Sequence, residues 1–268
     1  MSGQMETPGG SSSGGARHDI HEAVEKLPRI GWGESFRFRC HSGLSCWTSC
    51  CKNPNLFLTP YDVLRLKNRL GVKSFEFLAS HTVTGLDEYI GLPVVLMKMG
   101  ADGSCPYVSA GGCSVYSDRP TACRIYPLGQ GASSGANGKP GERMFFKVEE
   151  EHCLGWKEDK QWRLEEWVLD QGANEYNAHN EIMARLAFHP SLGEPGALDE
   201  RKAGMIHLAF YDLDRFRQFV FDTSFLQKFA IEPETVENIR NNDGDLLKFA
   251  VRWVEFSVLG IPVIEPVS

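Results

Sequence analysis

All eight cysteines of this 268-residue chain, Cys40, Cys46, Cys50, Cys51, Cys105, Cys113, Cys123 and Cys153, lie between positions 40 and 153. Random placement would confine them to that stretch with a probability of about 0.001, so cysteine chemistry has to account for the clustering. The segment Met1–Arg17 has neither a basic n-region nor an apolar h-region and contains an unbroken Gly/Ser run from Gly9 to Gly15. It does not read as a signal peptide, and it cannot bury enough apolar surface to offset its chain entropy. Residues 1–18 are therefore expected to be a disordered tail and the protein to be cytoplasmic. In that reducing compartment, cysteine clusters ligate metals or do redox chemistry more often than they form disulfides.

The spacing is C-x5-C-x3-C-C, then C-x7-C-x9-C, with Cys153 following 30 residues after Cys123. Thiolates are the metal-binding species, and several can gather only where a cation offsets their mutual repulsion. Eight suffice for two four-cysteine centres. Cys50 and Cys51 are adjacent, so their side chains are expected to point apart and to serve different metals or opposite sides of one cluster. Arg119 and Arg124 flank Cys123 and are candidates to offset thiolate charge and donate hydrogen bonds to sulfur. His41 and His152 each neighbour a cysteine and read as ordinary hydrogen-bonded histidines beside so many thiols.

Charge divides the chain. The net charge is -7, but residues 1–153 sum to +1 and residues 154–268 to -8. An acidic protein lacks the broad attraction to phosphate that supports nucleic-acid binding. With a mean hydropathy of -0.28 and no long apolar run, no membrane span is expected either. The expected partners are a metal ion and, through the acidic helical part, another protein.

Local signals predict an α+β fold: a small cysteine-rich metal-binding region with short helices and strands, then a mainly helical C-terminal region. The expected division is a tail over 1–18, a cysteine-cluster domain over 19–155 that depends on ligand bonds for its core, and a helical region over 156–268 packed on it. Thr59 reads as an N-cap, Pro60 as the first helical residue and Gly71 as the stop of one short helix. Val63, Leu66 and Leu70 would pack that helix on the cysteine region, with Arg65, Lys67 and Arg69 facing outward. A further helical turn is expected from Ser74, a strand over Tyr89–Met99, a flexible loop over Gly129–Gly141 and a partner strand over Met144–Val148. Helices are expected over about Lys160–Phe188, Leu208–Phe221, Glu234–Asn241 and Asp245–Leu259.

The run Cys113-Ser-Val-Tyr-Ser-Asp-Arg-Pro-Thr-Ala-Cys123-Arg-Ile-Tyr-Pro127 follows Cys105-Pro106 and a Cys-Cys pair that leads to Leu58-Thr59-Pro60-Tyr61-Asp62. In these motifs the chain resembles the bacterial YkgJ family of cysteine-cluster proteins over about Cys40–Cys153. The resemblance implies a zinc- or iron-chelating domain, and a flagellin lysine N-methylase is related to that family. The chain departs from the family's usual Cys-x-x-Cys step by placing five residues between Cys40 and Cys46.

Three functional readings follow: a metal-binding module of unassigned reaction, an iron-sulfur-dependent protein lysine N-methylase, and a thiol redox or metal-sensing protein. The methylase needs a methyl-donor site. Gly129–Gly135 has one residue too many for G-x-G-x-x-G, and Cys46-x3-Cys50-Cys51 misses the C-x3-C-x2-C of a radical S-adenosylmethionine site. The module reading is preferred. Zinc sites favour cysteine pairs two to four residues apart, whereas these ligands are dispersed, so iron in an iron-sulfur cluster is expected ahead of zinc.

Overall fold

The structure, a computed structural model, describes residues 26–86, 92–134, 140–187, 189–192 and 198–267. Strands β1 (Arg29–Ile30), β2 (Ser35–Arg37) and β3 (Phe57–Leu58) lead into helices α1 (Pro60–Leu70) and α2 (Ser74–His81). Strands β4 (Thr82–Leu86), β5 (Pro93–Met97), β6 (Val108–Ser109) and β7 (Gly112–Cys113) come next. Helix α3 (Thr121–Ile125) precedes β8 (Leu128–Ser134), β9 (Pro140–Lys147) and β10 (Gln161–Arg163). Then follow α4 (Leu164–Asp170), α5 (Ala173–Ala187), α6 (Glu200–Phe210), α7 (Leu213–Phe221) and α8 (Phe225–Lys228). The chain closes with β11 (Phe229–Ala230), α9 (Pro233–Asn241), α10 (Asp243–Ser257) and β12 (Glu265–Pro266). The class is α+β with a helical C-terminal part, as the residue pattern predicts. The expected tail, residues 1–18, lies outside the described residues, as do residues 87–91, so the start of the expected Tyr89–Met99 strand is not described and the strand observed is Pro93–Met97.

Helix α1 forms where its caps dictate. The Asp62 N–H donates to Thr59 Oγ1, the Thr59 N–H donates to the Asp62 carboxylate, and the chain leaves the helix at Gly71 with a φ of 69°. Its outward face is not as expected. Lys67 is only 5% exposed and reaches Asp214 at 3.2 Å and Asp243 at 2.9 Å, because α7 and α10 pack over that side of the helix. Helix α1 thus docks chiefly among the C-terminal helices.

The glycine-rich stretch also differs from expectation. Gly129–Ser134 is not a loop but strand β8, paired antiparallel with β9, while residues 135–139 lie outside the described residues. Gly129 faces Phe146 across the pair, and a Cβ on Gly129 would stand 1.9 Å from the Phe146 ring. The ring lies over the glycine, so the missing side chain favours this pairing. The β9 strand is joined to β1 and β8, whereas β5 lies between β3 and β4 in a separate sheet.

Two expected long helices are broken. The span 160–188 opens as strand β10 and then turns at Gln171-Gly172 between α4 and α5, and the span 208–221 is divided at Tyr211-Asp212 between α6 and α7. Apolar periodicity runs through both breaks because the paired helices bury residues in common cores.

Two apolar cores result. The larger joins Leu66, Phe77 and Val95 to Phe210, Phe216 and Trp253, and the smaller joins Phe36, Phe38 and Ile125 to Leu164 and Trp167. Both therefore draw on residues from either side of position 155. Among the described residues, no helix is long and apolar enough to cross a membrane.

Candidate metal centre

Each cysteine is placed by backbone bonds formed elsewhere in the chain. Strand β2 pairs with β10, and past its end the Phe38 N–H donates to Lys160 O at 2.8 Å and the Arg39 N–H to Gly155 O at 3.1 Å. This lays Cys40 beside the turn that follows Cys153. Phe38 lies so close to that turn that a Cβ on Gly155 would stand 2.5 Å from its ring.

Cys46, Cys50 and Cys51 sit on successive tight turns ending in the 3-10 segment Ser49–Cys51, and Thr48 enters it with a φ of 66°. From there the Cys105 N–H donates to Cys51 O at 2.9 Å, and Cys113 is carried back by the β6–β7 hairpin. Cys123 sits in α3, whose start is held by the buried Asp62 carboxylate: it accepts from the Thr121 N–H and from Thr121 Oγ1, both at 2.8 Å. On the far side, the Leu154 N–H donates to Cys46 Sγ at 3.3 Å, setting Cys153 against the first turns.

Seven cysteines, all but Cys105, line one cavity of about 360 Å³. All eight are free thiols. Burial pushes the Cys40 thiol up to about 11, reinforced by Cys50, Cys46 and Cys153, and pushes Cys123 up to about 12, reinforced by Cys105, Asp62, Cys113 and Cys50. Cys50 and Cys51 are coupled: the neighbouring Cys51 thiol draws Cys50 down to about 7, while Cys51 is pushed up.

Crowded thiols that resist losing their protons are a donor set that a cation would stabilise. The donor chemistry fits zinc or iron. The sulfurs are spread around the cavity wall: among the described residues, no group of three His, Cys, Asp or Glu side chains is gathered to hold a single ion.

Residues 39–154 match the family model CxxCxxCC, described as "Putative zinc- or iron-chelating domain". Over this segment the chain is similar to that family of cysteine-rich domains. No curated protein and no solved structure matches the chain.

Within this segment the two arginines have different surroundings. Arg119 lines the thiol cavity, stacks 3.9 Å over the Tyr116 ring and donates to Tyr116 O and Gln171 Oε1, both at 2.6 Å. Burial lowers its pKa, opposed in part by Cys123 and Cys113 nearby. Arg124 is buried beside α5, where it donates to Gln171 O and Ser117 O at 2.7 Å each and to the Tyr176 hydroxyl at 3.1 Å. His152 lines the cavity, and His41 and His152 pair with Glu158 and Glu150 at 3.4 and 3.5 Å.

Three residues that contribute to the site were not singled out from the sequence. Trp47 lines the cavity with a buried indole N–H that has no partner. Tyr126 lines it beside Cys153 and precedes a cis peptide to Pro127. Gln171 receives both arginines from outside the cysteine segment, so no spacing rule could have found it. Tyr126 did carry a signal, as part of the Cys-Arg-Ile-Tyr-Pro run.

Proposed function

We propose that the cysteine-cluster domain is a thiolate metal-binding module in which all eight cysteines form the donor set. The observation that carries this is the convergence of seven of them on one cavity of about 360 Å³. Two sets of four are favoured. Cys40 has Cys46, Cys50 and Cys153 as its electrostatic neighbours, and Cys153 packs on the smaller core. Cys51, Cys105, Cys113 and Cys123 form the other set, in which Cys105 and Cys113 pack on the larger core. Cys50, an electrostatic neighbour of Cys51, Cys105, Cys113 and Cys123 as well as of Cys40, joins the two.

Donors spread around a wall suit a polynuclear centre better than one ion, so iron in an iron-sulfur cluster is favoured over zinc. Such a cluster supplies electron transfer or a redox-sensitive structural link when bound. The chain's own contributions are the Leu154 N–H held on Cys46 sulfur, the Arg119 guanidinium near Cys113 and Cys123, and the aromatic side chains of Trp47 and Tyr126 in the cavity wall. A reducing cytoplasmic setting is consistent with eight free thiols.

Protein purified without oxygen should be brown, with absorption beyond the aromatic band and acid-labile sulfide. A colourless preparation with stoichiometric zinc and no sulfide would replace iron-sulfur by zinc. Neither metal retained under either condition would overturn the module.

A further inference from the structure

Beside α3 lies a second, open cavity of about 920 Å³, lined by strands β8 and β9, α5 and the start of α1. Tyr126 lines both cavities. The volume falls within the range of small-molecule sites, which pair apolar walls with a few convergent polar groups. Aromatic area is supplied by Phe146 and by Trp32 and Phe57, which are 55% and 48% exposed at its mouth.

The polar groups are specific. Asn177 is only 2% exposed, yet its Nδ2 has no partner, although its Oδ1 accepts from Gln130 Nε2 at 2.8 Å. Gln130 Oε1 is likewise buried and unpartnered. Exchanging oxygen and nitrogen in both amides leaves the same complement, one free donor beside one free acceptor. Asn180 adds a second acceptor. The Thr121 hydroxyl gives its proton to Asp62, so it can only accept from Asn180 Nδ2 at 3.1 Å, which leaves Asn180 Oδ1 unpartnered. Buried amide groups without partners cost free energy that a matching ligand would recover.

The lining arginine is already engaged: Arg143 donates to Asn177 O at 3.3 Å and lies 3.9 Å from Glu181. A phosphate would therefore find no unengaged arginine among the lining residues. We infer that this cavity binds a neutral planar heterocycle carrying an adjacent donor and acceptor, the edge chemistry of a purine base, seated against the aromatic wall.

The test is calorimetry and thermal shift of the full-length protein with guanosine and adenosine. At least one should bind. Asn177→Asp, which replaces the amide donor by an acceptor, should weaken that nucleoside about tenfold. Because Asn177 is buried, Trp32→Ala serves as the second variant. Its side chain is largely exposed, so the unliganded melting temperature should stay near that of the wild type while affinity falls several-fold. No binding of either nucleoside, or affinity unchanged in both variants, overturns the inference. So does a nucleoside monophosphate binding more than tenfold tighter than its nucleoside, or a single-stranded oligonucleotide binding where the nucleosides do not. Metal content plays no part in these readouts, so failure here leaves the metal reading standing.

Discussion

Arg119 and Arg124 are five residues apart in one motif, but they do different work. Both bond Gln171, but Arg119 lines the thiol cavity near Cys113 and Cys123, whereas Arg124 does not line it and also bonds Ser117 O and the Tyr176 hydroxyl. Arg119→Ala should lower metal retention against a competing chelator about 10- to 100-fold. Arg124→Ala leaves buried carbonyls without donors and should cost about 2 kcal/mol in urea unfolding, with metal retention in the folded protein near wild type. Equal loss of metal in the two variants would contradict this division. Gly155 is a residue-scale test of the Cys40 to Cys153 junction. The Cβ of Gly155→Ala would meet both the Phe38 ring and, at 3.0 Å, Arg39 O, so about 1–3 kcal/mol of destabilisation is expected by thermal unfolding.

At the scale of elements, α1 is held to the C-terminal helices by a buried charge cluster. Burial pushes the Asp214 and Asp243 carboxyls up, but hydrogen bonds from Ser74 and Lys67 and the Lys67 charge outweigh it, so both lie below the ordinary aspartate range. Folded-state pKa values below the unfolded ones mean stabilisation that is complete above the ordinary range and lost as pH falls through the folded values. Lys67→Met strips the one buried cation shared by two half-buried carboxylates, which keep Lys73 and Arg217, and should cost about 1–3 kcal/mol near neutral pH. Without that cation both carboxyls shift upward, so the loss of stability between roughly pH 5 and pH 3 should shrink in the variant. An acid limb identical to wild type in urea titrations would show that the cluster does not hold α1.

Across the whole molecule, the cysteine segment does not rely on ligand bonds alone for its core, contrary to expectation. Leu58, Leu66, Phe77 and Val95 share the larger core with the C-terminal helices, while the cysteine-bearing turns lie between the two cores. On chelation, hydrogen exchange should rise in residues 40–52, 104–115 and 150–158, whereas α1 and β5 should stay as protected as α10. Loss of protection throughout 40–153 would restore the picture of a core made by metal. Retention in all three turns would mean that the metal is not structural.

Several features were legible in the sequence because their causes are local. The Thr59-Pro60 start and Gly71 end of α1 depend on neighbours within one turn, and the Cys-Ser-Val-Tyr to Cys-Arg-Ile-Tyr-Pro run lies within the stretch that matches the family model. The α+β class followed from where helical periodicity begins. What only the tertiary structure decided is set by residues far apart in the chain. Lys67 is buried because α7 and α10 cover it, Gly129 joins a strand because Phe146 lies across it, and both arginines are held by Gln171, which reaches them from another element. The sequence confined eight thiols to one segment. Long-range backbone pairing, in which β2 meets β10 and Cys105 meets Cys51, decided which sulfurs face one another, because hydrogen bonds between distant segments leave no mark on local spacing.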